Sequence, residues 1–249
     1  MSKHKVIRSK MDKTKVLMND PIICEHIPTT KWFTRNHLKI MLKKYSSIYI
    51  KPDKGRQGLG IFRIKAVSNN KWEISNGKNF SKIVDQKQIY QEIRKKLSYE
   101  KQYLIQNGID LATYNHRPFD IRLVMQKPLD RWQLSITCAK IGDHKDSVVT
   151  YAKNRSLELP LETTLADIDQ DIDPLPVYRE LVDLSHQIAT MLGNHFPFRI
   201  LGLDMAIDKN GKLWFIEANT KPDCIGMKKY NDEQSYHKFL VANEFLRNQ

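Results

Sequence analysis

Leu201-Gly202-Leu203-Asp204-Met205-Ala206-Ile207-Asp208-Lys209-Asn210-Gly211-Lys212-Leu213-Trp214-Phe215-Ile216-Glu217-Ala218-Asn219 is the stretch whose reading decides the fold. It consists of two β-rich runs, Leu201 to Asp208 and Lys212 to Asn219, around a turn. Taking Asn210-Gly211 as a two-residue turn pairs Lys209 with Lys212, which sets Asp204 opposite Glu217 and Asn219 one step further along the same face. The other face is then apolar, with Leu203, Met205 and Ile207 against Trp214, Ile216 and Ala218. Carboxylates opposite each other on neighbouring strands repel unless a cation lies between them. An all-oxygen set with few protein ligands suits Mg²⁺, leaving room for water or phosphate. A surface hairpin with two solvated acids explains the same residues, and a three-residue turn would move Asp204 off Glu217.

A second segment lies far upstream. Ser47 to Lys51 is a short β-rich run that enters Pro52-Asp53-Lys54-Gly55-Arg56-Gln57-Gly58-Leu59-Gly60, and the strand-like Ile61 to Ile64 follows. Glycines let backbone N–H groups approach an anion, while Lys51, Lys54 and Arg56 supply positive charge. The loop lacks the Gly-Lys-Ser/Thr ending of a P-loop, and a strand rather than a helix follows it, unlike a dinucleotide fingerprint. A hairpin loop with solvated charges is the competing reading.

Together, Lys51 leading a glycine loop and the later Asp204 and Glu217-Ala218-Asn219 resemble the ATP-grasp superfamily. Ile50-Lys51-Pro52-Asp53-Lys54-Gly55, Phe119-Asp120-Ile121-Arg122, Leu201-Gly202-Leu203-Asp204 and Trp214 to Pro222 are similar to the YheC/YheD-type branch, known from spore-forming bacteria. The resemblance runs from about Met11 to Lys228. It implies an α+β fold in which two subdomains clamp ATP: a lid over about 30–100 with the glycine loop, and a metal and phosphate-transfer subdomain over about 101–249.

The resemblance also implies roles. Asp204, Glu217 and Asn219 would hold Mg²⁺ or Mn²⁺; Lys13 and Lys51 would contact the nucleotide; Gly55, Gly58 and Gly60 would cover the phosphates. Gln106 and Ile109, at a strand end, would frame the adenine, although an ordinary strand end reads the same way. Arg122 and Lys140 would serve phosphoryl transfer. Arg122 beside Asp120 also reads as a simple salt bridge, and Met11-Asp12-Lys13 as a frayed basic tail in which Lys15 competes with Lys13. The implied activity is ATP-dependent carboxylate-amine ligation through an acyl phosphate.

Two features depart from the family pattern. Related sequences carry an asparagine and a glycine pair in a loop where this chain has Ala152 to Pro160, with Asn154 but no glycines. Many members also have a domain ahead of the core, and almost nothing precedes it here, so any substrate surface from that domain is expected to be absent or to come from a partner protein. These departures keep open a nucleotide-binding protein without ligase activity, associated with the spore.

Composition narrows the remaining classes. The 249 residues, 41% hydrophobic, suffice for a substantial core. No run approaches the length of a membrane span and the basic N-terminus has no apolar signal region, so a cytoplasmic protein with no membrane partner is expected. Cys24, Cys138 and Cys224 are far apart, which suggests neither disulfides nor zinc. The net charge of +13 raises nucleic acid as a partner, but the cations are dispersed, so a solvated basic surface is favoured.

Local patterns predict the other elements. Thr34 caps a helix from Arg35 to Lys44; Lys71 to Ser75 is a strand; Asp85 caps a helix through Leu97. Gln102 to Gln106 is a strand, and Phe119 to Lys127 pairs with Arg131 to Ile141 around Pro128-Leu129-Asp130. Asp173-Pro174 starts a helix that ends near Gly193-Asn194. A terminal helix is expected from Asn231 to Leu246.

Overall fold

The computed structural model describes residues 4–55, 58–76, 80–145, 157–224 and 226–248. Along the chain the helices are α1 (Lys10–Leu17), α2 (Arg35–Lys44), α3 (Ile89–Arg94), α4 (Leu161–Ala166), α5 (Pro174–His195) and α6 (Glu233–Arg247). The strands are β1 (Thr30–Trp32), β2 (Ser47–Pro52), β3 (Phe62–Ser68), β4 (Lys71–Ser75), β5 (Ser81–Asp85), β6 (Tyr103–Asn107), β7 (Thr113–Tyr114), β8 (Arg117–Gln126), β9 (Gln133–Ile141), β10 (Leu157–Leu159), β11 (Ile200–Ile207) and β12 (Leu213–Asn219). Among the described residues the strands form two antiparallel sheets, in an α+β chain of two compact units.

The smaller unit spans Pro28–Asp110, with strand order β1-β6-β2-β3-β4-β5. Alternation sorts its side chains by face. Ile48, Ile50, Ile64, Ile74 and Ile105 join Leu38, Met41 and Leu42 of α2 and Ile89 and Ile93 of α3 in one core. Tyr49, Lys51 and Gln106 belong to the opposite face, Tyr49 pairing with Gln106. The Thr34 cap is present, its hydroxyl accepting from His37 N at 3.0 Å. Asp85 does cap a helical segment, a short 3-10 turn leading into α3, but α3 ends at Arg94, and β5 stands ahead of the cap where no strand was expected. Four of the five β5 residues are exposed, so its alternation is too weak to read.

The larger unit comprises the segments before Pro28 and after Asp110, with strand order β10-β9-β8-β11-β12 and β7 on β8. Val177, Leu181, Leu184, Ile188 and Leu192 of α5 and Val16 and Leu17 of α1 pack with Phe119, Ile121, Leu123, Leu203, Met205, Ile207 and Phe215. The N-terminal segment is a capped helix rather than a frayed tail, Ser9 Oγ accepting from Asp12 N at 3.1 Å. Toward the C-terminus, Asp232 caps α6, while the Asn231 carboxamide bridges both Thr137 N and Thr137 O, at 3.0 and 2.9 Å. No helix among the described residues is long and apolar enough to cross a membrane. All three cysteines are free, and burial pushes the Cys138 thiol up to about 12.

Candidate functional site in the larger unit

The hairpin β11–β12 reaches the expected register by a different route. Its turn has three residues, Lys209 to Gly211, because Asp208 N donates to Lys212 O at 3.0 Å. Asp208 also closes the turn with its carboxylate, accepting from Asn210 N at 2.9 Å, Lys212 N at 3.1 Å and Trp214 Nε1 at 2.9 Å. That turn starts the ladder one residue out of the expected step, pairing Met205 with Phe215. A β-bulge between Asp204 and Met205 absorbs the offset, with Ile216 as the extra residue, and Asp204 returns opposite Glu217. The apolar face is therefore corrected: Leu213, Phe215 and Ala218 face the core, while Trp214 and Ile216 are half-buried.

The polar residues of this sheet share the face away from α5. Cys138, Arg122, Asp204 and Glu217 form one row across β9, β8, β11 and β12. The next row carries Glu158, Lys140 and Asp120, and the one on the other side carries Val124, Gly202 and Asn219. Arg122, which the sequence offered to Asp120, pairs instead with Asp204: its Nε lies 2.7 Å from Asp204 Oδ1, and both side chains are only slightly exposed. The contact is an ion pair without a directed hydrogen bond, since neither atom has a hydrogen-bond partner. Asn219 Nδ2 donates to Asp204 Oδ2 at 2.8 Å. Gly202 leaves the room this needs, because a Cβ there would stand 2.7 Å from Pro222 Cβ and 2.9 Å from Arg122 Nη1.

Electrostatics in this cluster follow from burial. Burial disfavours the Arg122 charge, but Asp204 and then Asp120 outweigh it and raise its pKa. Asp120 is pushed up to about 7, chiefly by burial; Lys140 opposes the shift, Asp204 adds to it, Arg122 opposes it and Glu158 adds to it. An acid whose folded pKa exceeds its unfolded value binds more protons when folded, so it favours folding fully only below the unfolded pKa of about 4. In EDTA, the urea midpoint is therefore expected to fall between about pH 4 and pH 7, and Asp120→Asn to flatten that decline. An unchanged slope in the variant would exclude Asp120 as its source.

The donor set can be tested against a divalent ion. Two facing carboxylates and a carboxamide are present, and Asp120 Oδ1 and Asp204 Oδ1 are buried acceptors without hydrogen bonds. Turning the Asn219 carboxamide over would present its oxygen. Among the described residues no cluster of three or more His, Cys, Asp or Glu side chains could hold a metal. An ion here would thus draw on two carboxylates, one carboxamide and water or phosphate oxygens, which fits Mg²⁺.

The other expected residues fall into separate groups. In the larger unit, Lys13 is buried in α1 with Nζ donating to Ile7 O at 3.1 Å, and Lys15 is exposed. In the smaller unit, Lys51 Nζ donates to Gln106 Oε1 at 2.6 Å, and Gln106 Nε2 donates to Thr30 Oγ1 at 2.9 Å. Gln106 thus holds Lys51 in place, while Ile109 follows β6 half-buried. Gly58 and Gly60 have left-handed backbone, at φ 69° and 76°, and Gly55 stands so close to Pro52 that a Cβ would lie 2.8 Å from Cγ. Arg56 and Asn154 lie outside the described residues. A cavity of about 1010 Å³ lined by Arg35, Lys39, Lys87 and Tyr90 lies on the helix-covered side of the small sheet, away from Lys51.

Two participants had no sequence signal. Lys10 Nζ lies 2.9 Å from Glu217 Oε1, a contact made by α1 packing beside β12. Glu158 enters through β10, whose three residues are too few to show alternation.

Known proteins resemble this chain in sequence and in fold. Endospore coat-associated protein YheD of Bacillus subtilis (strain 168) is 26% identical over 228 residues, covering 88% of this chain and 49% of YheD. YheC of the same organism is 23% identical over 224 residues, covering 88% of this chain and 61% of YheC. The chain thus spans about half to three fifths of the curated relatives it matches. Among solved structures, D-alanyl-alanine synthetase A from Vibrio cholerae superposes with a TM-score of 0.57 at 13% identity, over 96% of this chain and 65% of that one. The ATP-grasp ligase PsnB, complexed with a minimal precursor, gives 0.54 at 13%, over 94% and 60%. These likenesses give the fold, which is ATP-grasp. The model of the YheC/D-like ATP-grasp family matches residues 2–243, nearly the whole chain, and the chain belongs to that family.

Proposed function

We propose that the chain binds ATP with Mg²⁺ or Mn²⁺ and acts as an ATP-dependent carboxylate-amine ligase through an acyl phosphate. The observation that carries this is the row of Arg122, Asp204 and Glu217 with Asn219 beside it, a set of anionic oxygens around a buried guanidinium. Support also comes from the fold, which PsnB and the Vibrio cholerae synthetase share.

In this reading each unit contributes its own part. Lys51, braced by Gln106, offsets phosphate charge, with Lys13 as a second cation. The backbone around Gly55, Gly58 and Gly60 covers the phosphates, and Gln106 and Ile109 border the base. The divalent ion, held by Asp204, Glu217 and Asn219, would offset charge on the β- and γ-phosphates. A carboxylate oxygen of the substrate attacks the γ-phosphorus and ADP leaves. The amine then attacks the acyl carbon, phosphate departs and the nitrogen loses a proton. Arg122 and Lys140 stabilise the oxygens that gather charge in both steps, so the protein works by positioning and electrostatics.

A second reading is a nucleotide-binding protein without ligase activity. It is favoured by the cation already on each carboxylate, Arg122 on Asp204 and Lys10 on Glu217. With endospore coat-associated relatives, either form would be made in the cytoplasm and associate with the spore, where a partner protein could complete the substrate surface.

Calorimetric titration of ATP tests the proposal. Wild-type protein should bind ATP with Mg²⁺ and lose that binding in EDTA, and Lys51→Ala should weaken it by about 10- to 100-fold, as expected for one charge-assisted hydrogen bond. Equal binding in EDTA would remove the metal, and no binding under any condition would remove the nucleotide. Hydroxylamine trapping of an acyl phosphate from a pool of acids then separates ligase from non-ligase.

A further inference from the structure

We propose that Lys10 is an internal counter-cation of the Asp204–Glu217 pair, and that it makes this site take up a divalent ion together with a polyphosphate rather than alone. The inference rests on the metal reading of those two carboxylates. Lys10 is the first residue of α1, whose position is set by the Ser9 cap and by the burial of Met11, Val16 and Leu17. From there its Nζ reaches Glu217 Oε1 at 2.9 Å, with side-chain exposures of 12% and 23%, so water screens the pair poorly. On the neighbouring strand Arg122 Nε stands 2.7 Å from Asp204 Oδ1. Each carboxylate therefore begins with a cation of its own.

A divalent ion approaching alone must either share Glu217 with the ammonium or drive it off. Sharing sets like charges against each other at contact range, and expulsion forfeits a shielded attraction. A triphosphate arriving with the ion changes the balance, because its oxygens give the displaced ammonium a new anionic partner. Ion and polyphosphate then favour each other's binding, and the coupling is reciprocal. The ligand class is a divalent metal–triphosphate complex, whether from a nucleotide or from inorganic triphosphate.

The test follows Mn²⁺ binding by loss of its free electron paramagnetic resonance signal, with and without a non-hydrolysable ATP analogue or inorganic triphosphate. Wild-type protein should bind Mn²⁺ weakly alone and tightly with either triphosphate. Lys10→Met should bind Mn²⁺ alone about tenfold or more tightly than wild type and lose most of the coupling. Lys10→Arg should keep the wild-type pattern, and Lys10→Gln is the second neutral variant if methionine unsettles α1. The proposal is overturned if the neutral variants match wild type in both affinity and coupling while Glu217→Gln weakens binding; the metal reading would then survive. If no protein binds Mn²⁺ under any condition, the metal reading fails and this inference with it.

Discussion

Arg122→Met is expected to destabilise the protein by about 3–5 kcal/mol near pH 8, the usual cost of removing one partner from a buried ion pair. Arg122 sits on β8 in the interior of its sheet, between β9 and β11, with Asp204 2.7 Å away and Asp120 two positions back on the same face. Methionine preserves most of the stem, so packing loss is small and the effect isolates the charge. The loss leaves two buried carboxylates with one neighbouring cation fewer. Asp120, already pushed up by burial and now without the opposing Arg122 charge, holds its proton still more tightly when folded than when unfolded, so stability declines as pH rises. Urea unfolding should accordingly show a defect that shrinks toward pH 5. A loss under about 1 kcal/mol at pH 8, the range of a surface pair, would mean that Arg122 is not the neutralising partner.

Glu217→Gln should abolish metal-dependent ATP binding while leaving the fold intact. Glu217 lies beside the bulge on β12, with a side chain 23% exposed, so glutamine can occupy the same space. What changes is one negative charge among the oxygens proposed to hold the divalent ion. Removing it should weaken Mg²⁺-dependent binding by about 100-fold or more. The melting temperature should hold within a few degrees, because the glutamine carbonyl oxygen keeps a hydrogen-bond acceptor in front of Lys10. Calorimetry with Mg²⁺ decides the first point and a thermal melt the second. Unchanged binding in a folded variant would strike Glu217 from the ligand set.

Much of the architecture was legible because it rests on short-range rules. The α2 cap at Thr34, the Asp173-Pro174 start of α5 and the faces of β8 are set by neighbours in sequence, where hydroxyl, proline and alternating side chains act directly on the backbone. β5 and the bulge were not legible. The first exposes most of its side chains, and the second depends on how Asp208 closes its turn while Phe215 enters the core. The register was right although the turn was not, since turn and bulge offset one another by one residue.

The amino-acid sequence alone determined that Asp204, Glu217 and Asn219 share one face and that a lysine leads a glycine loop, because strand periodicity and turn chemistry are local properties. Only the tertiary structure decided what neutralises that face. Arg122 comes from a neighbouring strand and Lys10 from a helix more than 200 residues away in sequence, and both reach their carboxylates through packing that no local pattern encodes. Likewise Gln106 is the brace of Lys51 because β6 inserts between β1 and β2, and the core below those strands dictates that placement. Local signals place a side chain on a face, whereas its partner follows from which elements the hydrophobic core brings side by side.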